Sequence, residues 1–183
     1  MRKTHSVKIT TNMIELDGSK MELSANGMEM LKEVYHSRIG RYPKFHKMDI
    51  LCQLGFIASE LLLEAEGKER FTERDDRAVI LFGKYASLYS DKQYQKTIAD
   101  KKNFYPSPLV FIYTLPNIVT GEIALRNKYH GETSYFALTN KSEMEDHIAT
   151  IFDTTPYIYS AICGWLDAVS PQQFEAEIWI IEK

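Results

Sequence analysis

Residues 107–140 read SPLVFIYTLPNIVTGEIALRNKYHGETSYFALTN, and this stretch decides the fold more than any other part of the chain. It opens with a Ser-Pro pair, continues with apolar residues and reaches a Thr-x-x-Asn helix start. The pattern predicts a helix from Leu115 to Tyr129, with Pro116 tolerated in its first turn. A strand is predicted from Thr133 to Thr139. Asn140 therefore lies directly after a strand.

The stretch resembles the approach to the active site in the β-ketoacyl-acyl carrier protein synthases (ketosynthases). The anchor residues that stand in register with that pattern are Ser107, Pro108, Thr114, Asn117, Gly121 and Gly131. Nine residues after Gly131, without a gap, the chain has Asn140 where the ketosynthase pattern has its catalytic cysteine. Glu132 departs from the proline that usually follows the glycine. The resemblance implies shared ancestry and a missing nucleophile.

Flanking segments extend the resemblance over most of Met48 to Ala168. Ala78–Gly83 is similar to a buried strand of the family, and Tyr94–Ile98 is similar to a Tyr-Gln helix that precedes the Ser-Pro pair. Ala161–Ala168 resembles a later strand that leads into a Gly-x-x-Asp-Ala turn. Complete ketosynthases contain two thiolase-type halves, and the resemblance covers only the first.

Apolar periodicity predicts five helices and five strands, including the helix Leu115–Tyr129 and the strand Thr133–Thr139. Asp49–Glu66 has an apolar face broad enough to pack on more than one side, and Gly67 ends it. A further helix starts at Ser142, with Glu145 completing a capping box, and runs through Phe152. Other expected elements are helices at Ala25–Tyr35 and Asp91–Ala99 and strands at Ser6–Leu16, Ala78–Phe82, Tyr157–Trp165 and Phe174–Ile181. Together they predict an α/β fold over residues 1–183, a single thiolase-like half with a mixed, mostly five-stranded sheet layered with helices.

Composition excludes several classes of partner. The chain has 183 residues and a net charge of −3, with 44% apolar and 26% charged residues, which gives no electrostatic footprint for nucleic acid. No apolar run approaches a membrane span, and the N-terminus lacks a signal-peptide core. Cys52 and Cys163 have no motif spacing and indicate a reducing compartment. We expect a cytoplasmic protein that binds no membrane, nucleic acid, metal or cofactor.

The chemistry implied by the resemblance requires a cysteine thiolate at the start of a helix. A carboxamide has no titratable proton and is a poor nucleophile, so Asn140 cannot form the thioester. The two catalytic histidines of the family lie in its second half, and no histidine of this chain stands at a matching position. Cys52 and Cys163 lie in apolar elements, where a cysteine behaves as a small hydrophobe. No catalytic residue is therefore intact.

A pocket is the other feature that the resemblance implies. In the family, apolar residues just after the Ser-Pro pair line an acyl pocket and limit the length of the chain it holds. Leu109, Val110 and Phe111 occupy these places. They are either pocket-lining residues of a retained acyl or aromatic pocket or simply part of the core.

Association with another chain is expected from the same resemblance. The family dimerises along the strand that leads into the nucleophile, here Ser134–Leu138, and a lone half would leave an apolar face uncovered. The chain should therefore form a homodimer or bind a ketosynthase-like partner. Alternatively, the strands at Phe174–Ile181 and Ser6–Leu16 could cover the exposed edge.

Three functions remain open. The first, which we favour, is a non-catalytic ketosynthase-like subunit of a fatty-acid, polyketide or polyene-type pathway that binds a full ketosynthase or an acyl carrier protein. The second is a 3-oxoacyl-acyl carrier protein synthase component that is active only with a partner chain. The third is a binding module for an acyl or other small hydrophobic ligand.

Overall fold

One mixed β-sheet of seven strands forms the centre of the computed structural model, which describes residues 1–183. The strands are β1 (Arg2–Thr10), β2 (Met13–Leu16), β3 (Ser19–Lys20), β4 (Arg77–Gly83), β5 (Thr133–Ala137), β6 (Ser160–Ser170) and β7 (Gln173–Glu182). Their order in the sheet is β3-β2-β1-β7-β6-β4-β5. β4 pairs in parallel with β5 and β6, and all other pairs are antiparallel. β7 covers one side of β6, so the edges are β3 and β5.

Helices cover both faces of the sheet. They are α1 (Gly27–Val34), α2 (Ile50–Glu66), α3 (Leu88–Ile98), α4 (Pro108–Ile112), α5 (Ile118–Asn127) and α6 (Met144–Thr154). A π-helix (Tyr35–Ile39) and two 3₁₀ turns (Pro43–Lys47 and Lys141–Glu143) complete the set. α2 packs on one face and α6 on the other. No helix combines the length and apolar character that crossing a bilayer would require.

α2 is the main core helix, as its broad apolar face predicts. It is buried along nearly its whole length between β1, β6 and β7 on one side and α5 on the other. Asp49 caps its start by accepting a hydrogen bond from the Cys52 N–H at 2.9 Å. Gly67 ends it in the left-handed conformation with φ 64°. The chain thus buries its longest apolar helix with its own elements.

The N-terminal strand prediction needs correction. Ser6–Leu16 was expected as one strand, but the chain turns at Thr11 and Asn12, and β1 and β2 form a hairpin. The predicted turn at Asp17-Gly18 is present, with positive φ at both residues, and it leads into β3. The sheet therefore has seven strands instead of mostly five, while the mixed α/β class is confirmed.

Two helix predictions also change. The expected helix Leu115–Tyr129 begins only at Ile118, so Pro116 lies before the helix and not in its first turn. The apolar residues after Ser107 form the separate short helix α4. Likewise Ser142 caps nothing, because it lies inside the 3₁₀ turn that precedes α6.

The predicted boundaries of the remaining elements differ from the observed ones by a few residues. The expected strand Tyr157–Trp165 begins at Ser160 and continues to Ser170. The expected helix Asp91–Ala99 begins earlier, at Leu88. At the other end of the chain, α1 occupies Gly27–Val34 and passes into the π-helix.

Candidate functional site

The strand-to-helix junction at Asn140 follows two neighbouring parallel strands, β4 and β5, whose C-terminal ends lie side by side. The Leu138 N–H donates to the Gly83 carbonyl at 3.0 Å, which ties the end of β5 to the end of β4. The chain then turns through Asn140 into the 3₁₀ turn and α6. Asn140 is exposed at the start of this turn. The predicted position of Asn140 between strand and helix is thus the observed one.

Asn140 forms all its hydrogen bonds with Glu143. Its main-chain N–H and its side-chain Nδ2 both donate to Glu143 Oε1, each at 3.2 Å. The Glu143 N–H donates in return to the Asn140 carbonyl at 3.3 Å. This reciprocal arrangement is the capping box that was expected at Ser142 and Glu145. The carboxamide starts a helix and offers no nucleophile.

Two glycines keep the strands in register where backbones approach closely. A Cβ atom on Gly131 would lie 2.4 Å from the carbonyl oxygen of Arg77. On Gly83 it would lie 2.1 Å from the Tyr135 hydroxyl and 2.4 Å from the Leu166 carbonyl oxygen. The Tyr135 hydroxyl donates to that same carbonyl at 2.8 Å, and burial raises the pKa of Tyr135. Gly131 is therefore an anchor for a steric reason.

The Ser-Pro pair starts α4. The Ser107 hydroxyl accepts a hydrogen bond from the Val110 N–H at 3.3 Å, and Pro108 occupies the first helical position, where its missing N–H costs nothing. The Thr114 hydroxyl donates to the Phe111 carbonyl at 2.7 Å and closes the end of the helix. These anchors shape the corner between α4 and α5.

The last two anchors lie at the start of α5. The Asn117 carbonyl accepts from the Gly121 N–H at 3.1 Å and from the Thr120 hydroxyl at 2.8 Å. A Cβ atom on Gly121 would meet nothing within 4 Å. Within this chain no packing contact requires a glycine there.

The three pocket candidates do not lie in the core. Leu109 is 52% exposed and Phe111 is 50% exposed, while Val110 is half-buried. Leu109 and Val110 line a cavity of 170 Å³, whose lining includes neither Phe111 nor Asn140. Small-molecule pockets are typically about 300–1,000 Å³. The cavity is thus small, and it is not joined to the Asn140 junction.

A half-buried carboxyl group, that of Asp49, forms the polar side of this cavity. The Ser90 hydroxyl donates to Asp49 Oδ2 at 2.6 Å, and burial raises the pKa of Asp49. Tyr113 also lines the cavity, and burial raises its pKa to about 12. Sequence reasoning missed these residues, although an aspartate directly before a long apolar helix is a capping signal.

Exposed apolar side chains gather on and beside α4. The members of this cluster, which we call the α4 surface, are Leu109, Phe111, Ile112 and Leu115, each about half exposed. Phe104 and Tyr105, just before α4, are exposed as well. Contiguous exposed apolar groups of this kind are typical of interaction sites.

The other candidate nucleophiles and bases are occupied elsewhere. Cys52 and Cys163 are buried, and burial raises the pKa of both thiols, so they stay protonated at neutral pH. No histidine bonds to Asn140; His5 lies 2.8 Å from a carboxylate oxygen of Asp17, and His147 stacks on Phe136. No group of three or more His, Cys, Asp or Glu side chains is placed to hold a metal ion.

Comparison with solved structures defines the class of fold. The ishigamide ketosynthase/chain length factor matches with a TM-score of 0.65 and 16% identity. The ketosynthase ApeO in complex with its chain length factor ApeC, from Xenorhabdus doucetiae, matches with a TM-score of 0.64 and 11% identity. AntDE:AntF, a type II polyketide synthase acyl carrier protein in complex with its ketosynthase bound to the hexaketide, matches with a TM-score of 0.61 and 9% identity. The chain therefore has the thiolase-like fold of the ketosynthase and chain length factor proteins.

The extent of these matches differs from one structure to the next. They cover 82%, 100% and 100% of this chain and 47%, 79% and 59% of the respective matched chains. The chain thus spans about half the length of the first. No protein-family model matches the sequence, and no curated protein does either. The likeness is one of fold.

Proposed function

We propose that this chain is a non-catalytic ketosynthase-like subunit. It associates with a full ketosynthase or an acyl carrier protein in a fatty-acid, polyketide or polyene-type pathway. The observation that carries the proposal is the junction at Asn140, where an intact strand and helix present a carboxamide bonded to Glu143. The scaffold is kept and the thiol is missing, so selection has acted on shape and contact instead of acyl transfer.

The structural neighbours support a role in a complex. Two of the three matched proteins are described as a ketosynthase with a chain length factor, and the third is described as a ketosynthase with an acyl carrier protein. A chain with the same fold and no nucleophile fits the part of a partner better than that of a complete enzyme. A shared fold alone does not determine function, so the assignment depends on the test below.

Two surfaces of this chain are suited to a protein partner. The α4 surface exposes apolar side chains, and β5 lies at an edge of the sheet with its outer hydrogen-bonding groups unpaired. β5 is also the strand along which the family dimerises. Unpaired edge strands readily accept a strand from another chain.

An acyl-transfer assay separates this proposal from the alternative of a synthase component that is active with a partner. The chain is incubated with acyl- and malonyl-acyl carrier proteins, alone and with a candidate ketosynthase partner. Intact-protein mass spectrometry then measures acylation of the chain, and carbon dioxide release measures decarboxylation. We expect no mass increase on this chain in either mixture, since it has no accessible thiol.

Two controls accompany this assay. The Asn140→Cys variant places a thiol at the junction, and a complete ketosynthase is the positive control. The complete enzyme must acquire the acyl group, which shows that the substrates are competent. An acyl adduct on the unmodified chain, or carbon dioxide release by the chain in the absence of a ketosynthase, would contradict the non-catalytic assignment.

A further inference from the structure

A cavity of 390 Å³ is separate from the Asn140 junction, because no residue of β5, the junction or α6 lines it. It borders the C-terminal half of α2, where Glu66 bonds to Arg77 at the start of β4. Its charged lining consists of Arg38, Arg41, Arg70, Arg126, Glu60 and Glu64. Four arginines against two glutamates leave a positive charge at this site, although the chain as a whole carries a net charge of −3.

Glu60 holds two of these arginines in place. It is buried, and its two carboxylate oxygens accept from Nη2 of Arg70 and, at 3.5 Å, from Nη2 of Arg126. Arg70 also donates to Asn127 Oδ1 at 2.8 Å. The Nε atoms of Arg70 and Arg126 are buried and have no hydrogen-bond partner. One carboxylate thus serves two guanidinium groups and leaves much of their donor capacity unused.

Aromatic rings fix the second guanidinium further. Arg126 lies over the rings of Tyr42 and Phe71, in each case 4.9 Å from the ring centroid. Stacking of this kind orients a guanidinium without using its N–H groups. Nη1 of Arg126, which forms no hydrogen bond while Nη2 is shared with Glu60, therefore stays available for an anion, and no large rearrangement is needed to present it.

The other two arginines lie on unusual backbone. Arg38 belongs to the π-helix Tyr35–Ile39 and donates to Glu64 at 3.0 Å. Arg41 has a left-handed φ of 55° and forms no ion pair with a carboxylate. Phe71, across the cavity, also has a left-handed φ, 64°. π-helical turns and left-handed non-glycine residues are uncommon and concentrate at functional sites.

We propose that this pocket binds the phosphate group of a small organic phosphomonoester. Fixed guanidinium groups with unused donors suit a dianion that has three acceptor oxygens. Ile39 and Phe71 provide an apolar wall for the organic part of such a ligand. The volume falls within the usual range for ligand pockets, about 300–1,000 Å³. The inference does not depend on the proposed ketosynthase-like function, because the cavity and the Asn140 junction share no residue.

Calorimetric titration with phenyl phosphate and with inorganic phosphate, at an ionic strength held constant with sodium chloride, tests this inference. Phenyl phosphate should bind, and inorganic phosphate should bind several-fold more weakly because it cannot contact the apolar wall. Arg41→Gln should weaken phenyl phosphate binding by about tenfold, the usual effect of losing one charge-assisted hydrogen bond. Because Arg41 has no partner in the chain, its replacement should leave the fold intact.

Arg2→Gln is the matched control, since Arg2 is an exposed arginine that does not line the cavity and carries the same charge. It should bind phenyl phosphate as the unmodified chain does. The inference is overturned if phenyl phosphate does not bind, or if Arg2→Gln and Arg41→Gln weaken binding equally, which would indicate non-specific attraction. Equal binding of both phosphates would overturn the assignment of an organic ligand.

Discussion

Asn140 and Glu143 are bonded to each other at the end of β5, with the main-chain N–H and the Nδ2 of Asn140 both 3.2 Å from Glu143 Oε1. In the proposed correspondence with the ketosynthases, the pair occupies the place of the nucleophile. An asparagine there is a good helix start, because its side chain bonds locally to the first turn. The proposed replacement of the nucleophile by Asn140 thus coincides with a structural role.

Replacing Asn140 with Ala should lower the free energy of unfolding by about 1 kcal/mol, the usual cost of losing a helix cap. Ser142→Ala should change it by less than about 0.5 kcal/mol, because Ser142 caps nothing in the structure. Urea denaturation followed by circular dichroism measures both values. A larger loss for Ser142→Ala than for Asn140→Ala would mean that the capping box is at Ser142 after all.

Glu66 and Arg77 form a buried ion pair at the start of β4. Two guanidinium nitrogens of Arg77 donate to the two oxygens of Glu66 at 2.7 and 2.6 Å. Glu66→Gln leaves a buried charge without its partner, so we expect the free energy of unfolding to fall by about 3 kcal/mol. Glu29→Gln, in an exposed pair with Lys32, is the control and should cost less than about 0.5 kcal/mol.

The same pair should give the stability a pH dependence. Burial alone would raise the pKa of Glu66, but the hydrogen bonds and charge of Arg77 outweigh it and hold the pKa below its usual value of 4.5. The stabilisation is therefore present above pH 4.5 and is lost as the pH falls through the lowered pKa of the folded state. The difference in unfolding free energy between the unmodified chain and Glu66→Gln should shrink below pH 4.5. A difference that stays constant down to pH 3 would contradict this.

Gly83 and Gly121 should respond to Ala in opposite directions. At Gly83 the added methyl group would meet the Tyr135 hydroxyl, the Leu166 carbonyl and Asp167 at 2.7 Å or less, so we expect a loss of about 3 kcal/mol. At Gly121 nothing lies within 4 Å, so helix propensity alone should give a gain of about 0.5–1 kcal/mol. Thermal and urea unfolding of both variants measure the changes. A Gly83→Ala variant as stable as the unmodified chain would show that the described close approach at Gly83 is absent, and a loss at Gly121 would show that its Cβ position is not free.

Ala137→Pro tests whether the β5 edge takes part in association. Glu132 accepts from Val79 and Leu138 donates to Gly83, so alternate residues of β5 bond to β4 and the Ala137 N–H points to the open edge. Proline removes this donor without removing a bond to β4. Binding to a ketosynthase partner, measured by calorimetry, should weaken at least about tenfold. Ala137→Val keeps the N–H and should bind normally; equal binding by all three proteins would exclude this edge as the interface.

Leu115→Ser tests the α4 surface in the same assay. Leu115 is 50% exposed, so the change should leave stability nearly unaltered while removing an apolar contact with the partner. Tyr157→Ser is the control, because Tyr157 is 62% exposed but lies between α6 and β6, away from α4. Weaker binding only for Leu115→Ser is expected. If both variants bind like the unmodified chain, the α4 surface does not contact the partner.

Much of the fold could be predicted from local patterns. α2 and β4 are apolar on nearly every side, and that pattern is visible in the sequence because burial is nearly complete. The hairpin turn at Thr11-Asn12 could not be predicted because neither residue is glycine, and neither has the positive φ that would call for one. The turn at Asp17-Gly18 contains a glycine and has positive φ, so its sequence signal is visible. Two prolines obscured α4, since Pro108 starts a helix instead of ending one.

The sites could be predicted less well than the fold. The position of Asn140 follows from an ungapped count, because local elements fix it. The exposure of Leu109 and Phe111 depends on what the rest of the chain leaves uncovered, which no local pattern encodes. The arginine pocket gathers residues from four separate segments, and only the tertiary structure brings them together.

The most direct test of the central claim is to purify the tagged chain from its native cells under gentle conditions. Bound proteins are then identified by mass spectrometry, and the mass of the assembly is measured by light scattering after size exclusion. We predict a complex that contains a full-length ketosynthase or an acyl carrier protein in a fixed ratio to this chain. A chain that elutes alone as a monomer, and that also fails to bind the purified ketosynthase and carrier protein of its own pathway, would contradict it.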